Sequence, residues 1–132
     1  MFREGGHAYD YLCYGMHHLF NVVTNVEGIP EAVLVRAIEP LGGIPEMIRR
    51  RGEKVKFHHL TSGPGKLTKS LGIDRSLNGK LLSDGEIWIE DRKKIPAGQI
   101  ETGRRIGIDY AGEDALLPWR VTIKGNPWVS KA

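Results

Sequence analysis

Residues 8–24 read AYDYLCYGMHHLFNVVT, and this stretch gives the strongest indication of how the chain folds. Three tyrosines and Asn21 lie in an otherwise mostly apolar segment over positions 7–14 and 18–25, on either side of a turn at positions 15–17. Two runs rich in tyrosine, phenylalanine and valine around a turn are typical of paired β-strands, so the segment predicts a β-hairpin. A tyrosine buried in a hairpin must find a hydrogen-bond partner for its hydroxyl group. The rings therefore either line the edges of an ordinary hairpin or hold something flat.

The length of the turn decides which side chains of this hairpin share a face. A three-residue turn places Tyr11 opposite Asn21, whereas a two-residue turn places Asp10 opposite Asn21. We favour the three-residue turn. Because directly opposite residues share a face, it predicts one side made of Tyr9, Tyr11, Cys13 and Asn21 and another made of Leu12 and Phe20.

The composition is that of a globular chain rather than a disordered or membrane-spanning one. The 132 residues are 40% hydrophobic and 27% charged, which suits a single domain. A net charge of +3 permits a polyanionic partner without requiring one. The single cysteine, Cys13, cannot form an internal disulfide, and no apolar run approaches a membrane span. We therefore expect a cytoplasmic protein without a membrane partner.

Shorter patterns follow along the rest of the chain. The nearly continuous apolar run AVLVRAIE at positions 32–39 predicts a central strand. Proline near the first turn and glycine beyond the last predict short helices at 45–51 and 64–71. Further strands are predicted at 86–90, 104–109 and 119–124. Together these elements predict an α+β chain with short helices and a mostly antiparallel sheet.

Arg36 is the most informative single residue, because it lies inside the apolar run AVLVRAIEP. A buried guanidinium group is costly unless it is paired and hydrogen-bonded. The nearby Glu39 has the opposite strand parity and should point to the other face. A structural ion pair with some distant acid is as good an explanation as a functional role at this point.

Positions 61–72, TSGPGKLTKSLG, lead into the second helix through serine, glycine and proline. The free amides of a helix N-terminus attract phosphate, and Lys66 adds a positive charge in the first turn. Most capped helices share this pattern and bind nothing, and the spacing differs from that of a nucleotide-binding loop. The pairs His17–His18 and His58–His59 have no further ligand at metal-binding spacing, so we expect no metal.

Tyr14 stands at the tip of the predicted hairpin, beside Gly15 and Met16. Nucleic-acid-binding proteins insert such exposed side chains between base pairs from the minor groove. From composition alone, a ring folded back over its own hairpin is the favoured alternative.

Several motifs, in one order and spacing, resemble the 3-methyladenine DNA glycosylases of the alkyladenine (methylpurine) type. After MF and GG come YDYLCYGMHHLFNVV, AVLVRAIEP, SGPGKLTKSLGI, RIGIDYAGEDALLPWRV and GNPWVS. The resemblance implies a single domain over residues 1–132, with an antiparallel, partly open barrel-like sheet and a protruding β-hairpin. It implies base-excision repair, in which an alkylated purine such as 3-methyladenine is flipped from duplex DNA and its N-glycosidic bond is hydrolysed. No cofactor is implied. The partner is double-stranded DNA with damaged bases, bound by a monomer associated with the nucleoid when acting.

The resemblance also implies roles for individual positions. Aromatic faces attract cationic purines, so Tyr11, with Tyr9 beside it, looks like a wall of the base pocket. Asn21 looks like the residue that obstructs the amino group of normal guanine, and Arg36 resembles the arginine that positions the attacking water. The other positions resemble DNA contacts: Tyr14 as the intercalating ring, Met16 and His17 as its minor-groove neighbours, and Ser62, Gly63, Lys66 and, more loosely, Arg51 as phosphate contacts.

Two departures from the family pattern bear on activity. Family members begin upstream of Met1 and carry there a Glu-Thr-Glu-Ala-Tyr-like stretch with the general base, a stretch that occurs nowhere in this sequence. We therefore expect an N-terminally incomplete glycosylase that lacks its general base. Asp10 stands where the family usually has valine. The alternatives are a non-catalytic module that binds damaged DNA and a purely structural domain.

Overall fold

The computed structural model describes residues 5–13, 17–25, 27–28, 31–83, 85–106 and 109–130. Strand β2 (His17–Val23) lies between β1 (Ala8–Cys13) and β3 (Ala32–Leu34) in an antiparallel sheet. A second antiparallel sheet consists of β4 (Ile100–Gly103) and β5 (Arg120–Ile123). The α-helices are α1 (Ile44–Arg51) and α2 (Pro64–Leu71). Short 3₁₀ segments lie at Phe57–His59, Arg75–Leu77, Ala97–Gln99 and Asp109–Leu116.

The prediction of a mixed α and β chain with antiparallel sheets and short helices is confirmed. Helix α2 has its predicted bounds, because Pro64 suits the first turn and Gly72 ends the helix in the left-handed region at φ 70°. Helix α1 begins one residue earlier than predicted, at Ile44. The strands of the described ranges belong to two separate sheets and do not close into a barrel. No helix in these ranges is long and apolar enough to cross a membrane.

Three strand predictions need correction. The run at 32–39 is an edge strand, not a central one, since β3 ends at Leu34 and, among the described residues, pairs with β2 alone. Residues 86–90 form no strand; Ile87 packs against the main core, but Ile89, two residues on, is 58% exposed and Trp88 is 52% exposed, so the alternation does not give one continuous buried face. The strand expected at 104–109 is wrong for its described part, because β4 ends at Gly103. The strand predicted at 119–124 is confirmed as β5.

The register of β1 and β2 differs from the predicted one by two residues. Tyr9, not Tyr11, lies opposite Asn21, and Tyr11 lies opposite Leu19. The last described pair is Cys13 with His17, one residue earlier on each strand than the predicted pair of Tyr14 with His18, and the predicted turn at 15–17 lies partly outside the described residues. Because the shift is by two, every residue keeps its predicted face.

The shifted register permits a contact that the predicted one excludes. Asp10 pairs with Phe20 and Leu12 pairs with His18, which puts Asp10 and His18 on a diagonal of the same face. His18 Nδ1 lies 3.4 Å from Asp10 Oδ2. The predicted register would have moved the two side chains further apart.

The main core lies between the first sheet and α2. Leu67 of α2 is 1% exposed and packs in one cluster with Ala8, Phe20, Ile73, Leu77 and Leu82. Burying such a leucine stabilises the fold by about 1.5–3 kcal/mol. The Thr68 hydroxyl also donates to the His18 carbonyl at 2.7 Å, which fixes α2 along β2. One face of the sheet thus packs against α2, and Tyr9 and Asn21 lie on the opposite face.

Candidate functional site

The face of the sheet turned away from α2 carries Tyr9 and Asn21. The two residues are directly opposite each other, and Asn21 also pairs with Leu34, so the three share one face. Tyr9 is partly exposed, whereas Asn21 is only 6% exposed. Asn21 Nδ2 donates to the Leu19 carbonyl at 3.3 Å, which orients the amide group. The structure thus brings together two of the three residues assigned to base binding.

Arg36 follows β3 on the same side. The Val35 amide donates to the Phe20 carbonyl at 3.0 Å and the Val35 side chain packs against the main core. Strand alternation then places Arg36 on the face of Asn21 and Leu34. Arg36 is partly buried; this burial lowers the pKa of its guanidinium group, and the nearby positive charge of Arg120 lowers it further. The salt bridges found among the described residues do not include Arg36.

The turn that precedes α2 packs beside the Arg36 segment. The Ile38 amide donates to the Thr61 carbonyl at 3.2 Å, and the Thr61 hydroxyl donates to the Ile38 carbonyl at 2.7 Å. Ser62, the next residue, is 5% exposed, whereas Lys66 is exposed. These bonds hold Thr61, and with it the adjacent predicted phosphate contacts Ser62 and Gly63, against Ile38, which lies two residues after Arg36.

Arg51 is engaged inside the fold. Its Nη1 atom donates to the carbonyls of His59 and Leu60 at 3.0 and 2.6 Å and to the Ser70 hydroxyl at 3.3 Å. Burial lowers the pKa of this guanidinium group. The arginine thus joins the end of α1 to α2, and a phosphate contact by Arg51 would use its other nitrogens.

Several predicted contacts cannot be compared with the structure. Tyr14 and Met16 lie outside the described residues. Tyr11 and His17 are described only through their backbone register, opposite Leu19 and Cys13. Their assigned roles remain predictions.

Sequence reasoning missed two features near these elements. One is Arg120, whose proximity to Arg36 could not be inferred because 84 positions separate them in the sequence. The other is a cleft of about 270 Å³ lined by His18 and, from α2 and the following turn, Gly65, Thr68, Lys69, Gly72, Ile73 and Asp74. This cleft lies on the α2 side of the sheet, away from Tyr9 and Asn21. No described set of three His, Cys, Asp or Glu side chains could hold a metal ion.

Comparison with known proteins identifies the class of the chain. A profile of the methylpurine-DNA glycosylase family matches residues 1–127. A protein of Methanocella arvoryzae is 48% identical over 132 residues, which cover 99% of this chain and 65% of the relative. A protein of Clostridium tetani is 46% identical over 139 residues, covering 99% of this chain and 68% of the relative. The names of both relatives assign them to the 3-methyladenine DNA glycosylases.

The chain belongs to the methylpurine-DNA glycosylase family. It spans about two thirds of the length of these relatives, 65% of the first and 68% of the second. The family resemblance inferred from the sequence motifs is confirmed.

Proposed function

We propose that this chain recognises alkylated purines in duplex DNA and belongs to an enzyme that hydrolyses their N-glycosidic bond. The observation that carries the proposal is the pairing of Tyr9 with Asn21 on one sheet face, in a chain of the methylpurine-DNA glycosylase family. Arg36 lies two residues beyond β3, and alternation from the core-packed Val35 assigns it to the same side. A ring, an amide and a guanidinium group on one face suit the three parts of this reaction: holding a base, selecting it and orienting water.

In this proposal the base lies against the tyrosines. Purines alkylated at N3 or N7 are cationic, so aromatic faces attract them by cation–π interaction as well as by stacking. Tyr9 supplies one ring, and Tyr11 supplies a second at the next position of the same parity. Asn21 obstructs the exocyclic amino group of guanine, which disfavours a normal base rather than favouring a damaged one. Its bond to the Leu19 carbonyl supports this role, because a fixed amide is a better obstacle than a free one.

DNA is held outside the pocket by two further groups of residues. Tyr14, at the tip of a protruding hairpin, fills the gap left by the flipped nucleotide, with Met16 and His17 in the minor groove. Ser62, Gly63 and Lys66 contact the phosphate backbone, where helix N-termini and lysine side chains are common ligands.

We further propose a monomeric domain in the cytoplasm, whose sheets form part of a partly open barrel.

Hydrolysis needs a base that Arg36 cannot provide. A guanidinium group stays protonated, so Arg36 orients the water and stabilises negative charge but does not remove a proton. The family supplies the base from a Glu-Thr-Glu-Ala-Tyr-like stretch, which is not among these 132 residues. We therefore propose that this chain alone binds damaged DNA and releases little or no base. That result would also fit the alternative function, a non-catalytic damaged-DNA-binding module.

Binding selectivity tests the proposal directly. The probe is a labelled duplex with one 2′-fluoro-7-methyldeoxyguanosine, whose N-glycosidic bond resists hydrolysis, compared with the unmodified duplex by fluorescence anisotropy. We expect tighter binding to the alkylated duplex and loss of this preference in Tyr9→Ala. Val33→Ala is a matched control, since Val33 is 56% exposed and has the opposite parity to Leu34. Equal affinity of the parent chain for both duplexes would overturn the proposal.

A further inference from the structure

Arg120, the first residue of β5, has a guanidinium group that the fold satisfies only in part. Its Nη2 atom donates to the Ser130 carbonyl at 2.7 Å. Its Nε atom is buried and has no hydrogen-bond partner among the described residues. A buried donor without a partner costs about 1–3 kcal/mol, so an acceptor that reached this Nε atom would stabilise the protein.

One hydrogen bond links the chain after Arg120 to the chain after Arg36. Asn126 Nδ2 donates to Glu39 Oε1 at 3.5 Å, which joins the two segments a few residues further along each. The positive charge of Arg120 is also close enough to lower the pKa of Arg36. Two partly buried guanidinium groups therefore lie near each other.

No described acid balances this pair of charges. The salt bridges of the described residues involve neither Arg36 nor Arg120. Glu39 is near in sequence, but it is exposed and accepts a hydrogen bond from Asn126. Like charges in a partly desolvated position repel one another, and an anion bound between them would remove this repulsion.

We propose that Arg36 and Arg120 together bind one phosphodiester of the DNA backbone. The proposal deepens the proposed function and rests on it, because it names the part of the DNA that meets this end of the site. Guanidinium groups match phosphate geometry through paired N–H donors, and Arg36 has five such donors. One edge can therefore hold the phosphate while another orients water.

A phosphodiester of bound DNA fits this position better than a carboxylate of the protein itself. Both arginine side chains are partly exposed, so the site is open to a large ligand. Thr61, joined to Ile38 by two hydrogen bonds, leads into the turn with Ser62 and Lys66. The pair would thus extend one positive track along the DNA backbone.

Thermal unfolding with small anions tests the site without DNA. We expect sodium phosphate to raise the Tm of the parent chain above its value in sodium chloride of equal ionic strength. Arg120→Gln should lose at least half of this rise, whereas Arg92→Gln should keep it, because exposed Arg92 pairs with Glu90. Arg120→Lys keeps the positive charge and should retain part of the response. This variant keeps the test valid if Arg120→Gln does not fold. An equal response in the parent and both Arg120 variants would overturn the site. A response to acetate but not to phosphate would make the ligand a carboxylate and overturn the assignment to DNA.

The salt dependence of DNA binding tests the source of the phosphate. Each phosphate contact contributes about 0.9 to the slope of log Kobs against log salt. Arg120→Gln should lower the slope on alkylated and unmodified duplexes alike, by at most about 0.9 because Arg36 remains at the same phosphodiester, and Arg92→Gln should leave it unchanged. An unchanged slope in Arg120→Gln would overturn the phosphodiester assignment. Loss of preference for alkylated DNA with an intact phosphate response would instead remove the proposed function and leave the anion site standing.

Discussion

His18 Nδ1 lies 3.4 Å from Asp10 Oδ2, across the diagonal between β1 and β2, and the Asp10 side chain is fully buried. Neither carboxylate oxygen has a hydrogen-bond partner among the described residues. Burial raises the pKa of Asp10, and His18 opposes this rise; Asp74 raises the pKa of Asp10 further and Arg75 lowers it. A carboxyl group thus occupies a fully buried position of the sheet.

Replacing this carboxyl group should stabilise the protein in a pH-dependent way. The folded state binds the Asp10 proton more tightly than the unfolded state, whose pKa is about 3.9. Stability from Asp10 is therefore present below that pH and is lost as the pH rises through the higher folded pKa. Asp10→Val should gain about 1–3 kcal/mol in the free energy of unfolding at pH 7, because it removes an unsatisfied buried charge.

Urea unfolding of the parent and Asp10→Val from pH 3.5 to 7 measures this difference. The gain should shrink towards low pH, while a control at the exposed Asp91, Asp91→Asn, should show no such trend. A variant that is less stable than the parent at pH 7 would show that the contact with His18 outweighs the cost of burial.

Asn21→Ser should relax selection against guanine when tested in a version with catalytic activity. The shorter side chain no longer obstructs the amino group, and it cannot make the bond from Asn21 Nδ2 to the Leu19 carbonyl. The measurement is the rate of guanine and hypoxanthine release relative to 3-methyladenine. An unchanged ratio would mean that Asn21 does not control entry to the pocket.

Tyr14→Ala should weaken binding to a duplex with an abasic analogue by roughly 1–3 kcal/mol, the usual contribution of one base–aromatic stack. Trp88→Ala is the control, because Trp88 is also a large exposed ring, at 52% exposure, but lies outside the proposed site. Anisotropy titrations give both affinities. If the two substitutions have equal effects, Tyr14 has no special role as a wedge.

Arg51 and Lys66 should separate stability from DNA binding. Arg51→Ala removes three hydrogen bonds within the fold, so it should lower the free energy of unfolding by about 1–3 kcal/mol. Lys66→Ala removes an exposed charge and should reduce the salt slope of DNA binding by about 0.9 with little change in stability. Urea unfolding and salt titrations distinguish the two. The reverse pattern would make Arg51 the phosphate contact.

The sequence predicted the parts of the fold that depend on local signals. The bounds of α2 follow from Pro64 and Gly72, which act within one or two turns of the helix. The faces of β1 and β2 follow from the period of two, which survives the change in register. The family resemblance rested on motifs spread along the chain, and the comparisons confirm it.

The errors arose where distant partners decide the structure. The predicted register and the observed register of β1 and β2 both put Tyr9 and Asn21 on one face, so alternation could not choose between them. The diagonal contact of Asp10 with His18 occurs only in the observed register. Residues 86–90 alternate like a strand but are not paired in a sheet. The effect of Arg120 on Arg36 links two residues 84 positions apart in the sequence, and no local pattern encodes such a long-range approach.

Base release from methylated DNA tests the central claim most directly. DNA treated with dimethyl sulfate is incubated with the 132-residue chain and with the same chain preceded by a family segment that contains the Glu-Thr-Glu-Ala-Tyr-like stretch. A positioned general base contributes about 10²–10⁴-fold, so the extended protein should release 3-methyladenine far above spontaneous depurination. Glutamine in place of its catalytic glutamate should abolish this release, and the 132-residue chain alone should release almost none. Robust release by the 132-residue chain would contradict the account and would direct the search for a base to Glu4 or Glu39.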